Sequence, residues 1–447
     1  MANLKFSLVD YQKGLAHKLY VPPNVFCPYY DVDPVLYNAH GSTDQRRNKL
    51  HLSIDELRKR TGTEYFNKIY PLQARTLDYS ARSFPAYRFI LPEVMTEDWL
   101  AIMDWGKFQR DHVLHQPLCG YVVLKLLDEK PGKSLQTAEG QTLLDGCVKR
   151  ILQWKDTSYI KDFLISCGMD KNDPILHSDS PIAEKVWRSF FREAAYVAAI
   201  FHDLGYPWQY AERMQGNLDG MNTPAIRHNR SADQIVEQYG HRLLFHAING
   251  YQSPDKACPS TWKNKITKLV DEALSKTHGL PGALGFLHLN DCVRRYPNTQ
   301  SAMHLLCIEW VAMAIMMHDM GKIYWGKSKT GTPENPFLRL SFDRDPLSAI
   351  VTLADVIQEF ERPAVRFGSK KCNGKEFVTL NYDKACSATQ LISKGSNIEL
   401  HYMMESNEMR ALKKKSLPDE IYNNFDPQYG YVDMSSIGFS NVKLFAS

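Results

Sequence analysis

The sequence has no apolar run long enough to cross a membrane, which takes about 18 uninterrupted apolar residues. Its N-terminal segment, MANLKFSLVDYQKG, alternates polar and apolar residues and lacks the hydrophobic core of a signal peptide. Nine cysteines are scattered along the chain, and none of them forms a CxxC pair. Such spacing argues against both a disulfide framework and a zinc knuckle. We therefore expect a cytoplasmic protein with reduced thiols.

A strong excess of charge is also missing. The formal net charge is +4 over 447 residues, and the basic runs RRNK (46–49) and KKK (413–415) are short enough to be ordinary solvated faces. The sequence thus carries no strong signal for a nucleic-acid partner and none for a membrane. With 44% hydrophobic and 23% charged residues, the composition is that of a globular protein.

Three regions of the chain differ in character. Residues 1–96 are rich in Tyr and Pro and predict an irregular N-terminal segment that wraps around the main body. Residues 97–363 have helical periodicity, with a more polar helical insertion at about 128–180. Residues 364–447 alternate polar and apolar residues, as strands do, around a basic helical stretch. This last region predicts a small α+β unit that docks on the helices.

Two copies of one dipeptide, His202-Asp203 and His318-Asp319, each end a predicted buried helix. The first closes the run AAYVAAIFHDLG, and the second lies in the run VAMAIMMHDMGK. Burying an imidazole and a carboxylate at the end of such a run costs free energy unless something compensates, and a divalent metal ion does so. The two dipeptides therefore predict metal ligands.

Isolated histidines and a further aspartate accompany the two dipeptides. Along the chain the order is His115, His202-Asp203, His278, His318-Asp319 and Asp355. Each lies on or at the end of a predicted helix, so all could converge on one bundle interior, as in carboxylate–histidine metal sites. Nitrogen and carboxylate donors without cysteine suit manganese, iron, zinc or nickel. His112, three residues before His115, is an alternative ligand.

This ordered set resembles the HD-domain superfamily of metal-dependent phosphohydrolases, whose pattern is H…HD…D. The segments HDLG and HDMGK resemble the family's motif, and Asp355 in LADVIQEFERP resembles its terminal aspartate. The resemblance covers roughly residues 105–363. It implies a mainly α fold, an HD-domain-like helical bundle, with the C-terminal α+β region as a small appendage.

Two assignments of the ligands are compatible with the resemblance. In the first, which we favour, the chain matches the H…HD…H…H…D variant of the family and holds two metal ions. The implied ligands of one ion are His115, His202, Asp203 and Asp355. Asp203 would bridge to a second ion bound by His278 and His318.

The second assignment places one compact site around the second dipeptide. Its ligands would be His278, His318, Asp319 and Asp355, with His115 and His202-Asp203 as an incomplete copy. Lys322 in HDMGK matches a common lysine of the family, whereas Tyr206 stands at that position after the first dipeptide. In the first assignment Asp319 is not a ligand, and it orients His318 or transfers a proton.

The resemblance implies hydrolysis of a nucleotide or another small phosphate ester by metal-activated water. Asp319 and Lys322 are the catalytic candidates, and Lys322 would neutralise a substrate phosphate. The implied cofactors are divalent metal ions, two in the first assignment, from among Mn, Fe, Zn, Ni and Mg.

Three other functions fit less of the sequence. The stretch HDLGYPW resembles deoxynucleoside triphosphate triphosphohydrolases, but Gln209-Tyr210 stand where those enzymes carry a second histidine. The ligand order is also similar to that of inositol-oxygenase-like di-iron proteins, which keep a lysine where Tyr206 stands. A degenerate HD bundle that senses a ligand or acts as a scaffold is the non-catalytic alternative.

Overall fold

The computed structural model of the chain describes residues 2–7, 9–11, 112–128, 130, 133–206, 259–293, 302–327, 331–360, 363–372 and 375–447. Most of the predicted N-terminal segment, residues 1–96, lies outside these residues. Among the helices in the described ranges, none is both long and apolar enough to cross a membrane.

Helices form most of the described chain between residues 112 and 360. Their bounds are α1 His112–Leu126, α2 Leu143–Gln153, α3 Ser158–Ser166, α4 Pro181–Phe201, α5 Pro259–Lys276, α6 Gly279–Val293, α7 Ala302–His318, α8 Gly321–Trp325 and α9 Pro346–Ile357. A further helix, α10, spans Asn407–Phe425. The helical character predicted for the insertion is confirmed by α2 and α3.

Local signals in the sequence determine where several helices begin. Ser180 caps α4, and Pro181 occupies the first turn, where its missing N–H would have no helical partner anyway. Pro281 also stands in the first turn of its helix, α6. The Asp345 side chain accepts the backbone N–H of Ser348 and so caps α9.

Helix α4 lies at the centre of the helical layer, where it packs against α1, α7 and α9. Buried aromatic rings fill the space between α4 and α7. The ring of Phe190 stacks on Trp310 with centroids 6.2 Å apart, and Trp187 packs edge-on against Phe190. The C-terminal ends of α4 and α7 lie side by side, since the rings of His202 and His318 are 4.8 Å apart. Both His–Asp dipeptides therefore reach the same end of the layer.

A four-stranded mixed sheet of order β1-β5-β6-β8 packs with the helices. Its strands are β1 Ala2–Phe6, β5 Cys386–Lys394, β6 Asn397–Met404 and β8 Asn441–Ala446. β5 is antiparallel to both β1 and β6, whereas β6 and β8 are parallel, and α10 connects them. Two smaller pairs are β2 Leu340–Ser341 with β7 Val432–Asp433, and the hairpin of β3 Pro363–Cys372 with β4 Lys375–Lys384.

The predicted fold class, a mainly α HD-domain-like bundle with a small C-terminal α+β appendage, is wrong. The mixed sheet takes its first strand from the N-terminal end of the chain, so it is not a C-terminal appendage. Leu4 and Phe6 of β1 join Leu391 and Leu400 in a hydrophobic core that continues into the helices. The ring of Phe6 also packs edge-on against Tyr121 of α1, with centroids 6.1 Å apart. Helices and sheet thus form a mixed α and β fold, while the predicted domain boundaries stay a prediction.

Candidate metal centre

Six residues that the sequence marks as metal ligands lie together at one end of the helical layer. His115 is on α1, His202 and Asp203 follow α4, His278 precedes α6, His318 ends α7, and Asp355 is on α9. Five of the six are at most 7% exposed, and Asp355 has a side chain that is 30% exposed. Solvent therefore reaches this buried cluster at Asp355. His112 begins α1, but its side chain lies outside the described residues.

The four histidine rings stand in a row, each at close to a right angle or steeply tilted to the next. Ring centroids are 4.9 Å apart between His115 and His202, 4.8 Å between His202 and His318, and 4.9 Å between His318 and His278. Helices α1, α4, α7 and the start of α6 each contribute one ring, so the row depends on how these helices pack.

Each histidine has an acceptor at Nδ1, and its Nε2 faces the other members of the cluster. For His115 the acceptor is the side chain of Gln358. For His202 and His318 it is the backbone carbonyl oxygen three residues earlier, of Ala199 and Ile315 respectively, at 2.6 Å in both cases. For His278 it is the Asp319 carboxylate, 2.8 Å away. A neutral ring that donates from Nδ1 carries its lone pair at Nε2. This arrangement of a bonded Nδ1 and an available Nε2 is typical of histidines that bind metals.

Two Nε2 atoms and two carboxylate oxygens form a group that we call site A (His115, His202, Asp203 and Asp355). The Nε2 of His115 lies 3.0 Å from Nε2 of His202, 3.4 Å from Oδ2 of Asp203 and 3.0 Å from Oδ1 of Asp355. The Nε2 of His202 lies 3.4 and 3.7 Å from the same two oxygens. Ligand atoms bound at about 2.1 Å to one ion lie about 3.0 to 3.5 Å from each other. The distances quoted for site A lie in this range except the longest, 3.7 Å between Nε2 of His202 and Oδ1 of Asp355.

A second group, site B, consists of Asp203, His278 and His318. Oδ1 of Asp203 lies 2.9 Å from Nε2 of His278 and 3.6 Å from Nε2 of His318, and these two nitrogens are 3.0 Å apart. Asp203 therefore turns Oδ2 to site A and Oδ1 to site B. A carboxylate with one oxygen in each of two ligand groups has the geometry of a bridge between two ions.

The residues of both sites fit metal ions on the chemistry of their donor atoms. In each site the Nε2 atoms of two imidazoles lie 3.0 Å apart, with a carboxylate oxygen beside them. Acceptors packed in this way repel one another unless a cation or a proton lies between them, and burial makes the repulsion stronger. Buried clusters of His, Asp and Cys side chains in the described chain could thus hold metal ions.

The electrostatics of the cluster also favour a cation. Burial alone would raise the pKa of Asp203, but His202, His278 and His318 hold it well below its usual range, so the carboxylate is ionised. Burial lowers the pKa of His278, whereas the carboxylates of Asp319 and Asp203 raise it to about 9. A metal ion that bound at His278 would displace this proton.

Asp319 lies next to His318 in sequence but contacts other groups. Its Oδ2 is 2.8 Å from Nδ1 of His278 and accepts the backbone N–H of His278 at 2.9 Å. Its Oδ1 is 3.2 Å from the ammonium of Lys322, whose side chain is 57% exposed. The two-metal assignment predicted that Asp319 orients His318 or transfers a proton, and in the structure its carboxylate lies against His278. Asp355 in turn lies beside His115 and His202.

Glycines allow the segment around His278 to lie between the two dipeptides. A Cβ at Gly205, in the turn after the first dipeptide, would overlap the carbonyl oxygen of His278. A Cβ at Gly279 would lie 2.6 Å from the carbonyl oxygen of Met316 near the end of α7. Both positions therefore need a glycine so that the backbones can approach closely. This contact fixes the position of His278 relative to both dipeptides.

Two tyrosines connect the C-terminal region to helix ends that carry ligands. The hydroxyl of Tyr431 donates to the carbonyl oxygen of Met317, the residue before His318. The hydroxyl of Tyr402, on β6, donates to the carbonyl oxygen of Val356 at 3.2 Å, next to Asp355. The region predicted as an appendage thus supports a backbone segment of each site.

Sequence reasoning missed three neighbours of the cluster. Cys119, one helical turn after His115, has its Sγ 3.6 and 3.7 Å from the two ring nitrogens. The ring of Tyr206 stacks on His278 with centroids 3.9 Å apart. Gln358 bonds to His115 across 243 positions of the chain. The contact of Cys119 with His115 could have been inferred from the sequence, because residues four apart lie on the same face of a helix. The contacts of Gln358 and Tyr206 could not, because they depend on the fold.

Comparisons with known proteins add no relative to this geometry. No family model matches the chain, and neither a curated protein nor a solved structure matches it. The resemblance to the HD-domain superfamily therefore stays a prediction from the motifs. The site has to be interpreted from its own donor atoms.

Proposed function

We propose that the chain binds two divalent metal ions, one in site A and one in site B, and that Asp203 bridges them. The observation that carries the proposal is the division of the Asp203 carboxylate, whose Oδ2 lies 3.4 Å from His115 and His202 while Oδ1 lies 2.9 Å from His278. Site A supplies two imidazoles and two carboxylates, and site B supplies two imidazoles and the shared carboxylate. Such donors suit Mn, Fe, Zn or Ni, and Mg less well.

We infer that the reaction is hydrolysis of a phosphate ester, with a nucleotide as one candidate substrate. Two bound divalent ions lower the pKa of water and neutralise charge on phosphoryl oxygens, which is the chemistry this reaction needs. The prediction from the motifs H…HD…H…H…D points in the same direction. Site B has three protein donors, fewer than the four of site A, and so leaves more room for water and substrate.

The remaining polar residues have roles that do not require binding a metal. Lys322 places an exposed ammonium beside Asp319, where a phosphate of the substrate could be paired with it. Asp319 accepts the backbone N–H of His278, and its carboxylate lies 2.8 Å from Nδ1 of the His278 ring, so it helps to keep the Nε2 of His278 in site B. Tyr206 covers the face of the same ring. His278 is thereby fixed from three directions.

The proposal is tested by elemental analysis of the purified protein, followed by a phosphatase and phosphodiesterase screen with the metal it retains. We expect close to two ions per chain and hydrolysis of at least one class of phosphate ester. His202→Ala and His318→Ala should each remove an ion and most of the activity. His401→Ala is the matched control, because His401 lies on β6 and stacks on Phe445, outside the cluster.

Other outcomes would replace the proposal. Bound iron with consumption of dioxygen and no hydrolysis would assign the centre to a di-iron oxygenase. A protein that takes up no ion, and whose His202→Ala and His318→Ala variants are as stable as the parent, would make the cluster structural and favour a scaffold or ligand-sensing role.

A further inference from the structure

The side chain of Gln358 connects His115 to the backbone just beyond α9. Gln358 caps the C-terminus of α9, three residues after Asp355, and is fully buried. Its Oε1 contacts Nδ1 of His115, and its Nε2 donates to the carbonyl oxygen of Phe360 at 2.6 Å. Nε2 of His115 faces the carboxylates of Asp203 and Asp355. The amide therefore meets the His115 ring at the nitrogen that does not face site A.

The bond to Phe360 fixes which end of the Gln358 amide faces His115. Rotating the amide by 180° would exchange its oxygen and its NH2 group. The oxygen would then face the carbonyl oxygen of Phe360, and two buried acceptors without a proton between them cost free energy. Oε1 therefore faces His115, where it accepts a proton from Nδ1. The lone pair of a neutral His115 ring is thereby placed on Nε2, in site A.

The segment that carries this acceptor is itself held from two sides. The buried ring of Phe360 packs edge-on against Tyr121 of α1, with centroids 6.3 Å apart. Glu359 pairs with the ammonium of Lys413 on α10 at 3.0 Å, and this ammonium lies 4.5 Å from the centroid of the Tyr402 ring. These contacts keep the carbonyl oxygen of Phe360, and with it the amide of Gln358, in one position relative to α1.

The other three histidines of the cluster are oriented by groups of a different kind. His202 and His318 each use a carbonyl oxygen of their own helix, so their orientation is set locally. His278 uses the charged carboxylate of Asp319. His115 instead uses a neutral side chain that another helix supplies, and one substitution at Gln358 removes it.

We propose that Gln358 is a positioning residue of site A, which fixes the tautomer and the ring orientation of His115. This proposal rests on the proposed metal centre and names a residue outside the ligand set that determines how tightly site A binds its ion. Removal of a group that orients a ligating histidine usually weakens metal binding by about 10- to 100-fold. The loss should be confined to site A, because His278 and His318 are oriented by other groups.

Zinc affinity measured in each site separately provides the test. The full-length His318→Ala variant is expected to retain the ion of site A, and His202→Ala that of site B. In the first background, Gln358→Met should weaken zinc binding by about 10- to 100-fold, because its thioether is a poor acceptor. Gln358→Glu still offers an oxygen to Nδ1 of His115 and should keep the affinity of the background. In the second background neither substitution should change the affinity.

A control variant separates positioning from a general loss of stability. Trp187→Phe removes a buried bond to the carbonyl oxygen of Ile175, at 2.9 Å, about 22 Å along α4 from His202. It should lower the free energy of unfolding and leave both zinc affinities unchanged. Gln358→Leu is the second variant without an acceptor, to be used if Gln358→Met does not fold.

Two results would overturn the role of Gln358 and leave the metal centre intact. One is a Gln358→Met variant that is less stable but binds zinc in site A as tightly as its background. The other is a Gln358→Glu variant that binds zinc as weakly as Gln358→Met. A parent protein that binds no zinc would instead refute the metal centre, and this proposal with it.

Discussion

The two His–Asp dipeptides have the same local structure and different roles. Each follows a buried helix, each histidine bonds through Nδ1 to the carbonyl oxygen three residues earlier at 2.6 Å, and each Nε2 lies 3.0 Å from that of another histidine. The aspartates then diverge. Asp203 divides its oxygens between sites A and B, whereas Asp319 bonds to His278 and to Lys322.

The divergence has a cause in the surroundings rather than in the dipeptides. Asp319 faces the start of α6, where the backbone N–H of His278 has no partner within the helix and attracts a carboxylate. Asp203 faces the imidazole rings of His115 and His278, and the turn that follows it packs against the backbone of His278 at Gly205. The same His–Asp dipeptide therefore places a carboxylate between sites A and B in one case and against His278 in the other.

The largest expected difference between the two dipeptides is in metal content. Asp203→Asn should lose the ion of site B and weaken site A. The substitution removes both the negative charge of Asp203 and one of the two oxygen donors that join the sites. Asp319→Asn should keep both ions and weaken site B by about 10- to 100-fold, the usual effect of removing a carboxylate that orients a ligating histidine. Elemental analysis and competitive titration of both variants measure the difference. Equal losses in the two variants would mean that Asp319 is itself a ligand.

A smaller effect is expected at the contact between Gly205 and the backbone of His278. Gly205→Ala should lower the free energy of unfolding by about 1 to 3 kcal/mol, because the new methyl group overlaps the backbone of His278. Gly285→Ala on α6 is the matched control, since its methyl group would meet only Leu204 at 3.8 Å and should stabilise the helix by about 0.5 to 1 kcal/mol. Denaturant unfolding measures the free energy of unfolding of both variants. Equal values would contradict the predicted overlap between a methyl group at position 205 and the backbone of His278.

The smallest expected effects are at the two tyrosines that support the sites from the C-terminal region. Tyr431→Phe removes the bond to Met317 and Tyr402→Phe the bond to Val356, at a cost of about 1 kcal/mol of stability each. We expect Tyr431→Phe to weaken site B more than site A, and Tyr402→Phe to do the reverse. Metal titration of each variant measures how much each site is weakened. Equal weakening of both sites would show that neither tyrosine supports one site in particular.

Part of the candidate cluster could be predicted from the sequence, because three of its residues are marked by their own neighbours. His202 and His318 follow apolar runs that end at Gly205 and Gly321, and Asp355 stands within an apolar helix. These are local signals, and the helices that carry them are found where expected. The role of Asp319 was less accessible, since its partner on α6 is 41 residues away and becomes a neighbour only after folding.

The fold class could not be predicted for a similar reason. β1 and β5 pair across 387 positions, as the bond between Asn3 and Gln390 shows, and no local pattern records such a pairing. β5 itself, with the sequence CSATQLISK, is rich in small polar residues and gives a weak local signal for a strand. An irregularity between Cys386 and Ala388 also breaks its alternation.

The most direct test of the central claim is anomalous diffraction from crystals of the metal-loaded protein. The account predicts two ions, one beside each oxygen of Asp203, separated by about 3.5 to 4 Å as in other two-metal centres. His115, His202 and Asp355 should surround one ion, and His278 and His318 the other. A single ion held by His278, His318 and Asp319, with none beside His115, would contradict it.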